Sequence, residues 1–319
     1  MPNNKFFGPF IVFLFLLPFF LGFDDYYLYL LNMAFLFAFL ALSWSILGYS
    51  GQISFGHAAF FGLGAYTSAL LSLKAGITPW IGLFFAGLVA MLFSTIIGLT
   101  CFRLRGPYFS LATLAFVEVP RMVTLNSKIT NGSLGLIGIP PFSNIKIFSI
   151  TIDFYASRTA TYYFLIILLL LLIFLTQMMI KSRLGFAFSA IREGEETAEV
   201  LGVNAFKYKL IALLISSFLT GVCGAIYAHT VHYIEPEIVY GLSFSAIPLV
   251  MSMFGGMLSV TGPVIGAIVL YLTNELIFHP ISTTAHELMY GLVIVIVILF
   301  MPKGIVGWLE ERRGVVHDT

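Results

Sequence analysis

Four carboxylates crowd into one short stretch, at Glu193, Glu195, Glu196 and Glu199, and form the densest set of groups here that could bind a cation or move a proton. They lack the Asp-rich pattern of a metal-binding loop, so metal-assisted hydrolysis is not indicated. Cys101 and Cys223 stand far apart in apolar surroundings, with neither a Cys-x-x-Cys pair nor a Cys/His cluster. They read as small packing residues rather than as a disulfide or a metal centre. No Gly-x-x-x-x-Gly-Lys-Ser/Thr phosphate loop occurs, so any use of ATP by that mechanism belongs to another chain. An intramembrane enzyme would carry repeated Asp, Glu or His motifs at helix ends, and these are missing as well.

Two further groups bear on transport rather than catalysis. Gln52, Ser54 and His57 fall in a junction whose Gly51 and Gly56 let the backbone leave a regular helix. Irregular backbone at membrane depth survives only when buried in protein or lining a watery cavity, so these residues are candidates for a solute path. Close helix packing through small residues, with His57 as a hydrogen-bonded structural group, is the competing reading. Glu118 and Arg121 are three residues apart, share a helix face and flank Pro120, which bends the helix. Because the pair neutralises itself, a structural ion pair is favoured over contact with solute or a gate. Glu275 and Asn274 occur late in a span, close enough to its outer boundary to be interfacial.

The elements that position these groups are set by composition. Of 319 residues 59% are hydrophobic and 10% charged, against roughly a quarter charged in a soluble domain. That excludes a water-soluble globule, and a net charge of +1 gives no field to attract nucleic acid. Continuous apolar runs, not alternating ten-residue strands, predict an all-α polytopic transmembrane bundle with Gly-rich broken helices. About ten spans are expected: Phe6 to Phe23, Tyr27 to Leu47, His57 to Leu73, Pro79 to Phe102, Leu111 to Leu125, Ala160 to Ile180, Tyr208 to Thr230, Phe244 to Met257, Gly262 to Phe278 and Glu287 to Met301. The first, followed by Asp24 and Asp25 without a small-residue cleavage pattern, reads as an uncleaved span. With the N-terminus inside, Lys5, Arg103, Arg105, Lys181, Arg183, Arg192, Lys207, Lys209, Lys303, Arg312 and Arg313 are cytoplasmic. Only Lys74, Lys128, Lys146 and Arg158 lie outside, a bias that places both termini in the cytoplasm. The whole of residues 1–319 is then one membrane domain.

Two hydrophilic excursions interrupt it. Residues 126–159 form an external loop long enough to carry structure of its own. Residues 181–207 lie inside, where Ser189 to Leu201 predicts a short helix with Ser189 as N-cap and Gly202 as stop. Charges on one side and small or apolar residues on the other suit a docking element for a cytoplasmic partner, although a solvated loop helix fits the same pattern. Its anionic cluster argues against simple adsorption to anionic lipid. Gly255 to Pro263 is a second Gly/Pro break, with Gly262 and Gly266 forming a small-residue face, but no register supports an internal repeat.

Glu196-Thr197-Ala198 followed by Gly202 resembles the coupling-helix signature of bacterial ABC-importer permeases. The longer string Ala190-Ile191-Arg192-Glu193 through Leu201-Gly202-Val203-Asn204 and Lys207-Tyr208-Lys209 is similar to the M-type permease of branched-chain amino-acid importers. So are Gly48 to His57, Gly62 to Tyr66, Thr113-Leu114-Ala115-Phe116 with Glu118 and Arg121, Asn131 to Pro140, and Met301-Pro302-Lys303-Gly304. The resemblance implies an importer in a bacterial or archaeal cytoplasmic membrane, carrying leucine, isoleucine or valine by alternating access. It implies as partners a related H-type permease, two ATPase subunits that bind ATP and magnesium, and an external substrate-binding protein, with no cofactor on this chain. Arg192, Glu193, Glu195, Glu196, Ala198, Glu199 and Gly202 would then couple to the ATPase, while Gln52, Ser54, His57 and Tyr66 would face the solute path. Urea and amide importers resemble the same family. An ion-coupled secondary transporter would need paired carboxylates near mid-membrane, and Glu118, its only centre, has Arg121 beside it.

Overall fold

The computed structural model describes residues 7–20, 22–147, 150–154, 157–281 and 304–312, together with positions 291, 295 and 299. It is a helical bundle. Helices α1 (Phe7–Phe20), α2 (Asp25–Gly48), α3 (His57–Ala75), α4 (Pro79–Cys101) and α5 (Pro107–Asn126) precede a loop of short turns and strands. After the loop come α6 (Arg158–Ile180), α7 (Arg183–Glu193), α8 (Glu195–Val200), α9 (Ala205–Val231), α10 (Pro236–Val239), α11 (Ser243–Gly255) and α12 (Thr261–Thr273). A π-turn over Asn274–Phe278 carries α12 on to Ile281, and a last helix spans Gly304–Arg312. Strands β1 (Leu136–Ile137), β2 (Ile145–Ile147), β3 (Ile150–Ile152) and β4 (Tyr233–Ile234) make two antiparallel ribbons, β1 with β4 and β2 with β3.

Among the described residues seven helices are long and apolar enough to cross a membrane: α2, α4, α5, α6, α9, α10 joined to α11, and α12 with its extension. Nine of the expected spans coincide with helices to within a few residues. The tenth, Glu287 to Met301, lies outside the described residues apart from isolated positions, as do Lys5, Lys303 and Arg313. Helix α1 has 14 residues and α3 19, and neither is among the seven. The reason for α3 is instructive: it carries His57, Ser68, Ser72, four alanines and two glycines on buried positions because it faces protein, and so needs no apolar coat.

Helices α3 and α9 cross so closely that backbone meets backbone. A Cβ on Gly64 would collide with the main chain of Gly221, and one on Gly224 with the carbonyl of Phe61. Polar partners then meet across the crossing. The Ser216 hydroxyl donates to the Ser43 carbonyl on α2 at 2.7 Å, leaving its oxygen to accept from His57 Nε2–H at 2.8 Å. On the same helix pair the Ser68 hydroxyl reaches His229 Nε2 at 2.7 Å, and His229 Nδ1–H donates to the Pro140 carbonyl of the loop at 2.6 Å. That carbonyl can only accept, which fixes the His229 tautomer. The loop is further held by Trp80 Nε1–H donating to the Ser143 carbonyl at 3.0 Å, within a group of rings formed with Phe142, Phe154 and Phe164.

Replacing Gly224 by valine forces two main chains apart, and overpacking of this kind costs about 1–3 kcal/mol. The expected result is a lower thermal unfolding midpoint for the detergent-solubilised protein, whereas alanine at the exposed Leu92 leaves it unchanged.

Candidate functional site

The cytoplasmic excursion folds differently from its expected single helix. Helix α7 starts at Ser182, whose hydroxyl accepts from the Leu184 amide at 3.2 Å, so Ser182 is the cap and Ser189 lies inside the helix. The chain extends at Gly194 and resumes as α8, which ends where Gly202 takes φ +86°, a left-handed conformation suited to glycine. A small apolar cluster of Ile191, Ala198 and Ala205, flanked by Ala190, Val203 and Tyr208, seats α8 against α7 and α9.

The electrostatic anchor is buried. Lys209 on α9 is 2% exposed, and its Nζ donates to Glu195 Oε1 at 2.7 Å while lying 5.4 Å from the centre of the Phe102 ring. Desolvating an ammonium requires a charged partner, so Glu195 is held in place as firmly as the helix core. Arg105, in the turn between α4 and α5, pairs with Glu196 at 2.7 Å on the surface. The hydrogen bond and charge of Glu196, with Glu195 behind it, raise the guanidinium above its ordinary range. Arg192 bonds to Ser189 and Glu193 at 3.1 and 3.2 Å, and its backbone lies against Gly51, whose φ is +78°. Gln52 joins Arg105, Gly194, Glu195, Glu196 and Thr197 around a polar groove of about 340 Å³. Beyond this seat Val200 and Leu201 stand 87% and 75% exposed, beside the exposed carboxylates of Glu193 and Glu196. Glu199 lies exposed on the same six-residue helix.

Ser54 and His57 lie deeper and are buried. The Gly51 to Gly56 junction satisfies its irregular backbone from three sides: Trp44 Nε1–H donates to the Ser54 carbonyl, Ser110 to the Ile53 carbonyl, and Thr113 Oγ1 accepts from the Phe55 amide, at 3.0, 2.6 and 3.1 Å. Ser54 Oγ accepts from the Gly56 amide at 3.0 Å. His57 Nδ1 is buried with no partner. The structure therefore separates the four expected pathway residues: Gln52 at the groove beside α8, Ser54 and His57 in the packed interior, and Tyr66 further along α3.

At the opposite end of α5 Arg121 holds Glu118 at 2.6 Å and also Glu237 of α10 at 2.8 Å. Sequence reasoning did not find Glu237, which is 116 residues away. Nor did it assign Arg105 and Lys209 as partners of α8; a lysine entering the apolar run Leu210 to Leu214 was the available signal for the second. Among the described residues no three His, Cys, Asp or Glu side chains gather as metal ligands.

A bundle of membrane-length helices with a short interrupted helix seated on one end is the architecture of a polytopic membrane protein. The sequence profile described as branched-chain amino acid transport system / permease component matches residues 26–300, and the chain belongs to that family. It is 30% identical over 282 residues to the high-affinity branched-chain amino acid transport system permease protein LivM of Escherichia coli, covering 82% of this chain and 65% of that protein. The LivH permease of Salmonella typhimurium is 24% identical over 288 residues, covering 87% and 93%. The nucleoside ABC transporter permease protein NupC of Lactococcus lactis is 24% identical over 194 residues, covering 57% and 60%. The chain thus spans about two thirds (65%) of the LivM relative's length. No solved structure matches it significantly.

Truncating Glu195 to alanine strands the Lys209 ammonium in the bundle, an effect of order 3 kcal/mol for a buried pair. Lys209→Met leaves only a partly solvated carboxylate. Thermal unfolding should therefore fall further for Glu195→Ala than for Lys209→Met, with faster tryptic cleavage around Lys181 and Arg183.

Proposed function

We propose that this chain is the membrane subunit of an ATP-driven importer for branched-chain amino acids, working by alternating access. The observation that carries the reading is α8: six residues bearing Glu196-Thr197-Ala198, seated by Ala198 and Glu195 and presenting Val200, Leu201 and Glu196 outward. Such a knob gives a partner an apolar contact and charges to orient it, while its seat transmits any displacement to α9. In this reading α7 and α8 lie on the cytoplasmic side and couple to two ATPase subunits through Arg192, Glu193, Glu195, Glu196, Ala198, Glu199 and Gly202. ATP hydrolysis belongs to those subunits, and an H-type permease completes the membrane unit. An external binding protein supplies affinity, so the path itself needs only weak contacts.

The profile's description and the LivM and LivH relatives support this substrate, and import of a labelled amino acid into proteoliposomes tests it. Similarity to a nucleoside permease supports a second reading, in which the same machinery carries a different small polar solute.

The coupling assignment is tested by co-purification with the ATPase subunit in detergent. Wild type should retain the ATPase, and Glu196→Lys combined with Gly202→Pro should lose it while both permeases stay folded, since proline does not reach φ +86°. Equal retention by the double variant would refute the assignment.

A further inference from the structure

Helix α8 has six residues, too few to hold a helix by themselves, and its apolar seat is built on only Ile191, Ala198 and Ala205. Charge supplies the rest. Glu195, the first residue of α8, accepts from Lys209 Nζ at 2.7 Å, with the lysine side chain 2% exposed and that of Glu195 30%. A second pair, Glu196 with Arg105, has side chains 77% and 71% exposed, and an ion pair so open to solvent resists little. A load placed on α8 therefore enters the bundle mainly through Lys209.

Lys209 also reaches beyond its own helix. Its Nζ lies over the ring of Phe102, the residue that follows α4, close enough for attraction by the ring face. Phe102 stacks on Phe109, in the first turn of α5, at 5.2 Å, and meets Phe206, in the first turn of α9, edge-on at 6.3 Å. Both Phe102 and Phe109 are buried. Helices α4 and α9 are drawn tight just above, where a Cβ on Gly98 would strike Leu210. One ammonium thus joins the start of α8 to α9, to the end of α4 and, through a single ring, to the start of α5.

Stability alone does not call for a charge at this place. An apolar side chain of similar volume commonly holds a fold as well as a buried ion pair does, or better. What the pair adds is direction. Lifting α8 from α9 would strand the ammonium beside Phe102, whereas apolar contact is non-directional and lets one surface slide on another.

Resting on the importer reading above, we propose that Lys209 is a positioning residue for energy coupling: its pair with Glu195 locks α8, α9 and the turn between α4 and α5 into one moving body. Displacement of α8 by an ATPase subunit then becomes displacement of three membrane helices. Without the lysine the ATPase still docks on the exposed side of α8 and hydrolyses ATP, but α8 yields on its seat and import no longer follows.

The test compares import of labelled L-leucine with ATP hydrolysis in proteoliposomes that hold the whole importer and its binding protein, for wild type, Lys209→Met and Lys209→Arg. Lys209→Met should retain the ATPase on purification and hydrolyse ATP, yet import about tenfold less leucine per ATP, the size of an ordinary coupling between two sites. Lys209→Arg keeps the charge and should recover most of the wild-type ratio. An unchanged ratio in Lys209→Met overturns the joint, as does a Lys209→Arg no better coupled than Lys209→Met. Failure of Lys209→Met to fold or to hold the ATPase overturns it too, because the lysine would then serve folding or docking instead of transmission. If wild type imports no leucine in response to ATP, the importer reading itself falls, and the joint with it.

Discussion

Polar groups inside a membrane bundle have no water to turn to, and here Ser216, Ser68, His57 Nε2 and His229 find partners because α3 and α9 approach until their backbones touch. The crossing at Gly64, Gly221 and Gly224 brings His57 to Ser216 and Ser68 to His229, linking α2, α3, α9 and the loop through side chains on the crossing pair. Larger residues at the crossing would separate the helices and leave those histidines and serines unpaired in an apolar interior. The α2 to α3 junction obeys the same constraint: its Ser54 and Ile53 carbonyls and its Phe55 amide are met by Trp44, Ser110 and Thr113.

Helix α9 joins the two ends of the bundle. At 27 residues it is about 40 Å long, more than the hydrocarbon thickness. Near its start it carries Lys209 and the seat of α8; near its end it carries His229, bound to Pro140, and His232, whose Nδ1 meets the Ile139 carbonyl at 2.9 Å. The β1 to β4 ribbon continues directly from it, pairing Leu136 with Ile234. A displacement applied at α8 is therefore applied to a rod whose other end is tied to the loop.

Much of this was legible in the sequence because hydropathy is a local property. The seven membrane-length helices, the loop, the α2 to α3 break and the stop at Gly202 were all written in contiguous residues. Partnerships were not. Glu118 and Arg121 were found because they are three apart, whereas Glu237 joins them only through the packing of α10 on α5. Lys209 counted as one more cytoplasmic cation until the fold buried it against Glu195. The division of the cytoplasmic segment was missed because it rests on a single residue, Gly194, which turns extended at φ 176° and ψ 112° between two helical stretches.

The two ends treat charge in opposite ways, and the difference has mechanical meaning. Near α8 a single cation is buried with one carboxylate, so separation leaves an unsolvated ammonium and is strongly opposed. At the far end Arg121 has two partners, one on its own helix and one across to α10, and both carboxylates reach solvent. Releasing Glu237 there strands nothing, and an exposed ion pair contributes little to stability. The first arrangement is a fixed joint and the second an exchangeable one.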